Sequence, residues 1–253
     1  METNPELAMP GEKTAKPVTG SNVSSENNAG RTLASILTDS IRNDIITGVL
    51  EPGLKLRLRE LAERYDVGVN PLREALSRLA LSGFVDAEDQ RGFRVTEISQ
   101  AELQDITQTR QRIECDAVRL SIEQGDLDWE ARVLASFHRL SRIGMTITTD
   151  HRILNPSWQN AHESFHNALI SGCNSPWLLK FVSILREQTA RYIYMSIKNP
   201  AAAERDVGKE HQEMLDATLS RDADKACALL SAHFAATSNL VISQSAFTTG
   251  QKK

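Results

Sequence analysis

The chain has 253 residues, of which 40% are hydrophobic and 25% are charged, so it is long enough for one large soluble domain or two smaller ones. Its formal net charge of −4 favours no partner by itself, and a nucleic-acid interface would need basic residues concentrated locally. Three widely spaced cysteines, no secretion signal and no apolar run of about 18 residues predict a cytoplasmic protein without a membrane span.

The N-terminal part of the chain begins with a polar segment and continues with helices. Residues 1–30 are rich in Asn, Ser, Gly, Pro and Glu, which predicts a disordered tail. Apolar residues recur at helical spacing over residues 32–48, and a second, shorter helix is predicted over residues 58–65. Asn70 is predicted to cap a third helix whose first residue is Pro71.

A β-hairpin is predicted directly after these helices. Apolar residues alternate over residues 84–87 and 93–98, and a charged turn containing Gly92 joins the two arms. Helix, helix, turn, helix and hairpin together are typical of a winged helix-turn-helix, in which the second helix of the pair enters the major groove of DNA. Residues 31–98 are therefore predicted to be a DNA-binding domain.

The candidate DNA contacts lie at the start of the recognition helix and on the elements beside it. Asn70 suits adenine and Arg73 suits guanine in the major groove, while Arg59 and Arg91 can reach bases or phosphates. Residues 55–78 hold six basic and four acidic residues, so the local concentration of positive charge is modest. A small three-helix domain with a solvated charged face is the alternative interpretation.

The rest of the chain is predicted to be helical, with no clear strand. Residues 99–245 are assigned to an all-α bundle of six or seven helices, and residues 246–253 to a flexible tail. The polar stretch from Thr146 to Pro156 is predicted to be a loop. The six helices are placed near residues 100–123, 127–145, 156–171, 175–197, 203–220 and 222–244. The predicted fold class is therefore mainly α, with a winged N-terminal domain.

One short segment of the bundle, His162-Glu163-Ser164-Phe165-His166, fits the H-E-x-x-H pattern of zinc proteases. Two histidines four residues apart on one helical face can hold a metal, and Glu163 could act as a general base. A five-residue motif also arises by chance, and Glu163 lies about 100° around the helix from His162. A zinc hydrolase is therefore kept only as a remote alternative.

Four histidines fall on the inward faces of three predicted helices, namely His162, His166, His211 and His233. A single histidine on such a face is usually a hydrogen-bonded core residue, but four in one bundle predict a shared metal site. An all-nitrogen set of ligands suits Zn²⁺ or Ni²⁺. The pattern therefore predicts a bound divalent metal.

Arg110 falls within the apolar stripe of the first bundle helix and needs an anionic partner there. Glu114, one turn later, could be that partner, or a ligand carboxylate could bridge Arg110 and the metal. Arg191 and Tyr194 are predicted to line the same cavity.

The N-terminal domain resembles the GntR family of bacterial transcription regulators over residues 45–95. The resemblance implies DNA contacts at Arg59, Asn70, Arg73, Arg91 and Gly92. One departure is Gly68-Val69, where the family often has Ser-Arg, so an arginine that reads bases or phosphates is missing at Val69. The matching residues are Gly48, Leu50, Pro52-Gly53, Leu61-Ala62, Pro71-Leu72-Arg73-Glu74-Ala75-Leu76, Leu79, Gly83, and Arg91-Gly92 before Val95.

The C-terminal part resembles the ligand-binding FCD domain of the FadR-type subfamily over residues 100–244. Many members hold a metal through Asp or Asn, then His four residues later, then two histidines 22 apart. His166, His211 and His233 match that spacing, and His162 stands where most members have Asp. The resemblance implies a small carboxylate effector, such as a glutarate-like acid, at the open positions of the metal.

The predicted function is that of a repressor modulated by a small carboxylate. A homodimer would place two winged domains on a pseudo-palindromic operator in double-stranded DNA. A regulator that senses the metal itself is the alternative. Arg110, Arg191 and Tyr194 are the candidate effector contacts.

Overall fold

The structure is a computed structural model that describes residues 31–88, 92–147 and 150–243. The predicted tails and Arg91, the candidate contact at the tip of the wing, lie outside the described residues. The helices are α1 (Leu33–Ile46), α2 (Leu58–Tyr65), α3 (Val69–Leu81), α4 (Gln100–Gln124), α5 (Leu127–Ser141), α6 (Pro156–Ile170), α7 (Pro176–Ile197), α8 (Val207–Leu219) and α9 (Ala223–Ser243). The strands are β1 (Lys55–Leu56), β2 (Val85–Glu88), β3 (Gly92–Val95), β4 (Thr146–Ile147) and β5 (Asp150–Leu154).

The N-terminal helices pack with a small sheet around one apolar core. Ile41 of α1, Leu72 and Leu76 of α3, and Phe84 are fully buried in it. The predicted hairpin is present as β2 and β3, but β3 also pairs with β1, so the sheet has three strands in the order β1-β3-β2. The strand β1 was not predicted because two residues are too few to show alternation.

The recognition helix α3 begins earlier than its sequence suggests. Its N-cap is Gly68 and its first residue is Val69, so the prediction of Asn70 as N-cap is wrong. Asp66 adopts a left-handed conformation at φ 51°, which ends α2 and turns the chain directly into α3. Pro71 still lies in the first helical turn, where a missing backbone N–H breaks no hydrogen bond of the helix.

The C-terminal part contains the six predicted helices. Thr146 to Pro156 is not a simple loop, since β4 and β5 form an antiparallel hairpin there. Leu154, which pairs with Thr146, is buried and fixes this hairpin to the core of the bundle. A 3-10 helix, Pro200–Glu204, joins α7 to α8.

Helix α9 is, among the described residues, the one helix that is long and apolar enough to cross a membrane. The sequence prediction concerned continuous apolar runs, whereas α9 meets this criterion by its mean hydropathy and has polar residues such as His233 and Ser238 along its length. The helix packs against α4, α7 and α8, and it buries Leu230, His233 and Phe234. Core helices of globular bundles commonly have this composition.

Helix α7 of the bundle contacts the winged domain. The guanidinium of Arg42, on α1, lies 2.8 Å from Glu187 Oε1. The next residue, Gln188, donates a hydrogen bond from its amide to the carbonyl oxygen of Ser82, at the end of α3. Helix α7 therefore contacts both α1 and the end of the recognition helix α3.

Candidate metal centre and nucleic-acid interface

Three helices bring the four predicted histidines into one cluster. His162 and His166 come from α6, His211 from α8 and His233 from α9, and their candidate ligand nitrogens all lie within 4.8 Å of one another. The Nε2 atoms of His162 and His166 are 3.1 Å apart. His162 thus lies within the cluster together with the other three histidines.

The cluster is buried, and burial determines its protonation. His166, His211 and His233 are each at most 6% exposed. Desolvation lowers the pKa of all four imidazoles, that of His211 to about 3, so they are neutral at pH 7 and keep a lone pair for a metal. His166 Nδ1 and His211 Nε2 have no hydrogen-bond partner among the described residues. Buried imidazole nitrogens without partners fit a site that binds a cation.

A carboxylate and a guanidinium orient one histidine of the cluster. Glu210 Oε2 lies 2.7 Å from His233 Nδ1, which leaves Nε2 of that ring for a metal. Arg205 holds Glu210 through two hydrogen bonds of 2.6 Å and donates a third, of 2.9 Å, to the backbone oxygen of His233. Burial would raise the pKa of Glu210, but the bonds from His233 and Arg205 outweigh it and lower that pKa to about 2.

A second charged group lies beside the cluster, where two arginines share one carboxylate. Arg110 Nε donates to Glu114 Oε1 at 2.8 Å, and Arg186 Nε donates to Glu114 Oε2 at 3.0 Å. Glu114 is fully buried. Burial would raise its pKa, but the two guanidinium charges lower it below the usual value. One carboxylate neutralises one charge, so this group retains an excess positive charge beside the histidines.

Arg110 also faces open space. Its hydrogen bonds to described residues use Nε and Nη1, the latter to Thr189 Oγ1 at 3.2 Å, and its guanidinium lies 4.0 Å from the centre of the Phe234 ring. It lines two cavities, of about 70 and 480 Å³, that both reach His162 and His166. The larger cavity has the size of a small-molecule site.

Two predicted effector contacts lie away from these cavities. Arg191 donates to Glu102 Oε1 at 2.9 Å, and neither it nor Tyr194 is among the residues that line the two cavities. Tyr192 and Ile193 stand on the cavity side of α7 instead. Successive residues of a helix differ by about 100° in direction, so the side chains on either side of this pair in the sequence, Arg191 and Tyr194, point away from the cavities.

The predicted DNA contacts that the structure describes are on the surface of the winged domain. Arg59 is 93% exposed on α2, and its Nε lies 3.4 Å from Glu63. Asn70 and Arg73 are exposed in the first two turns of α3. Gly92 begins β3 at a φ of +100°, a backbone conformation that disfavours other residues in the wing.

Two sets of charged residues beside the candidate site were not found from the sequence. Arg186 was missed because its face of α7 mixes polar and apolar residues and carries no distinctive stripe. The pair of Arg205 and Glu210 was missed because it depends on how α8 meets α9. Glu163, the proposed general base of a hydrolase, is exposed at the wall of the larger cavity.

Comparison with known proteins gives matches to both halves of the chain. Residues 33–95 match the gntR family of bacterial regulatory proteins, and residues 105–236 match the FCD domain. The chain is 38% identical over 238 residues to the HTH-type transcriptional regulator BphR of Paraburkholderia xenovorans (strain LB400), covering 93% of this chain and 94% of that protein. It is 36% identical over 196 residues to the HTH-type transcriptional repressor GlaR of Escherichia coli (strain K12), covering 76% and 88%. The solved structure of E. coli McbR/YncC has a TM-score of 0.67 at 20% identity, covering 85% of this chain and 99% of that one, which shows a shared fold.

Proposed function

This chain belongs to the GntR family of bacterial regulatory proteins and carries an FCD domain, and from that premise we propose that it is a repressor controlled by a small carboxylate bound beside a divalent metal. Its matched domains and the relatives named above are those of transcription regulators, so the chain is a DNA-binding regulator and not an enzyme. The hydrolase interpretation of the His162 motif is therefore dropped. The regulator is proposed to act in the cytoplasm.

The metal proposal depends on the donor set. His162, His166, His211 and His233 would hold the ion, and neutral imidazoles favour Zn²⁺ or Ni²⁺. When bound, the ion would supply Lewis-acid positions to which carboxylate oxygens bind. Glu210 and Arg205 would keep the His233 ring turned towards it.

The observation that carries the carboxylate proposal is the excess positive charge of Arg110 and Arg186 over Glu114. A buried guanidinium without a full counter-charge is costly, and an anion in the adjoining cavity would offset that cost. Arg110 is placed to bind that anion, since it lines both cavities together with His162 and His166. We propose no effector contact for Arg191 or Tyr194.

Helix α7 supports a route from the effector to DNA. Arg186 and Thr189 contact the charged group of the cavity, whereas Glu187 and Gln188 contact the winged domain. The larger cavity is itself lined by Arg42 of α1. An effector that prefers one position of α7 would therefore favour one position of the winged domain.

The proposed homodimer has a candidate surface on α7. Trp177, Phe181 and Ile184 follow one another at helical spacing, and each is between 46% and 67% exposed. Exposed apolar stripes of this kind mark association surfaces. Trp177→Ser with Phe181→Ser should convert a dimer to a monomer in light scattering, and an unchanged mass would exclude this surface.

A two-ligand titration tests the proposal. An operator is selected from random duplexes, and its affinity is measured by fluorescence anisotropy at saturating Zn²⁺ while glutarate or succinate is added. We expect the dicarboxylate to weaken operator binding for the natural protein and to have no effect on Arg110→Met. A response to Zn²⁺ alone, with none to either acid, would instead support a metal sensor.

A second variant separates binding of the effector from its effect on DNA. Glu187→Gln removes the α7 carboxylate that pairs with Arg42, which keeps Asp39 of its own helix, and it leaves the histidines and Arg110 untouched. We expect it to bind glutarate with unchanged affinity in calorimetry and to lose most of the effect on operator affinity. Glu213→Gln, which alters a partly exposed residue of α8, is the matched control. Full coupling in Glu187→Gln would contradict the proposed route.

A further inference from the structure

Two of the three cysteines meet where α4 crosses α9. Cys115 Sγ lies 3.5 Å from the backbone oxygen of Cys227, and Cys227 Sγ lies 3.4 Å from the backbone oxygen of Cys115. These reciprocal contacts place both thiols in the same gap between the helices. Ser231, one turn further along α9, lies 3.4 Å from Cys115 Sγ.

The two thiols differ in reactivity. Cys115 is partly exposed, and its pKa is lowered to about 7 by the hydrogen bond with Cys227, by Ser231 and by the charge of Arg119. Cys227 is buried, and the same hydrogen bond together with burial raises its pKa. Cys115 is therefore the partly exposed thiol that ionises more readily, and Cys227 is the buried thiol beside it that ionises less readily.

We propose that Cys115 and Cys227 form a reversible disulfide when the protein meets hydrogen peroxide. The Cys115 thiolate attacks one peroxide oxygen, the O–O bond breaks, and the sulfur becomes a sulfenic acid as hydroxide leaves and takes up a proton to give water. The Cys227 sulfur then attacks the sulfenic sulfur, and its proton leaves with the hydroxyl as a second water. Two thiols lose two electrons in total, and one peroxide is reduced to two waters. A dithiol reverses the bond.

The position of this bond gives it a consequence for the sensor domain. Glu114 on α4 directly precedes Cys115, and Arg110 lies one turn before that. His233 and Phe234 on α9 follow Cys227 within two turns. A disulfide would fix the spacing between the helix that carries the arginine–carboxylate group and the helix that carries one histidine of the cluster. In a reducing compartment such a bond forms transiently, as in redox-sensing proteins.

Thiol counting and mass spectrometry test this inference on the full chain. Stoichiometric peroxide should reduce the number of titratable thiols in urea from three to one and produce a peptide that links Cys115 to Cys227. Cys173→Ser is the matched control, because Cys173 is buried elsewhere in the core, and it should lose both of its remaining thiols. Cys227→Ser should instead accumulate a sulfenic acid at position 115 that dimedone captures.

Several results would overturn the inference. Three thiols remaining after peroxide would show that the two cysteines are only packing residues. A disulfide between two chains, seen as a doubled mass on a non-reducing gel, or one that includes Cys173, would assign the chemistry elsewhere. Since none of these measurements involves the metal or a carboxylate, they are independent of the proposed effector site.

Discussion

Replacing Glu114 by Gln tests whether its charge stabilises the FCD domain. The carboxylate is fully buried between Arg110 and Arg186, and it accepts hydrogen bonds from both guanidinium groups. Glutamine keeps the size and one acceptor oxygen but removes the negative charge. The guanidinium groups of Arg110, which is buried, and Arg186, which is largely buried, would then face each other without any counter-charge in this group.

The expected loss of stability is large. Breaking a buried ion pair from one side costs about 3–5 kcal/mol, because the remaining charge is left desolvated. For a chain of this length each kcal/mol corresponds to about 2–4 °C, so the melting temperature should fall by roughly 6–20 °C. Glu60→Gln, which removes an exposed partner of Arg57, should leave the melting temperature almost unchanged, because solvent screens that pair.

Urea unfolding followed by circular dichroism measures the difference. A second substitution makes the test specific, since Arg186→Met added to Glu114→Gln removes one of the two uncompensated charges. The double variant should be more stable than Glu114→Gln alone, which is the coupling that a double-mutant cycle detects. A loss below about 1 kcal/mol for Glu114→Gln, or no recovery in the double variant, would refute the argument from charge.

The same carboxylate predicts a pH dependence. The two guanidinium groups lower the pKa of Glu114 in the folded protein, against the effect of burial, to below its usual value of about 4.3 in an unfolded chain. A lowered folded pKa gives stability that is complete above the unfolded pKa and is lost as pH falls through the folded one. The difference between the natural protein and Glu114→Gln should therefore be constant from pH 7 to about 5 and shrink at lower pH.

The remaining predictions concern DNA, metal and packing. Arg73→Ala removes an exposed guanidinium from the recognition helix and should weaken operator binding by about 1–3 kcal/mol in anisotropy, with little effect from Arg132→Ala on the surface of α5. His211→Ala should abolish most of the stabilisation by ZnCl₂, which at 100 times Kd is about 2.7 kcal/mol for one site, and exposed His138→Ala should retain it. Gly125→Ala places a methyl group 2.2 Å from the buried Trp129 ring and should cost about 1–3 kcal/mol in urea, unlike Gly208→Ala, whose nearest neighbour is at 3.5 Å; equal losses would contradict the clash.

The helices were predictable because each repeats one physical pattern along its length. Helix α4 runs from Gln100 to Gln124, within one residue of its predicted bounds, since its apolar stripe continues for seven turns. The short strands carry no such pattern. Lys55 and Leu56 form a strand only because β3, almost forty residues later, offers an edge, and that pairing is not local in the sequence.

Some residues of the candidate site could likewise be predicted from local spacing in the sequence, and others could not. Two histidines four residues apart must share a helical face, so the pair at 162 and 166 could be inferred from spacing, as could Arg110 with Glu114. Arg186 reaches Glu114 from another helix, and only the packing of α4 against α7 decides that contact. Helix α7 buries residues on several sides, so periodicity could not select its cavity-facing residues.

The packing of α7 also explains how a small ligand could influence DNA. Arg186 and Thr189 are three residues apart and lie on one face, towards the arginine–carboxylate group, whereas Glu187 and Gln188 between them contact α1 and the end of α3. A helix does not deform readily between adjacent residues, so a shift imposed on one face is imposed on the other. An anion that drew Arg186 or Arg110 away from Glu114 would therefore change the position from which Glu187 holds Arg42. Because such coupling is reciprocal, operator DNA should alter the affinity for the anion by the same factor.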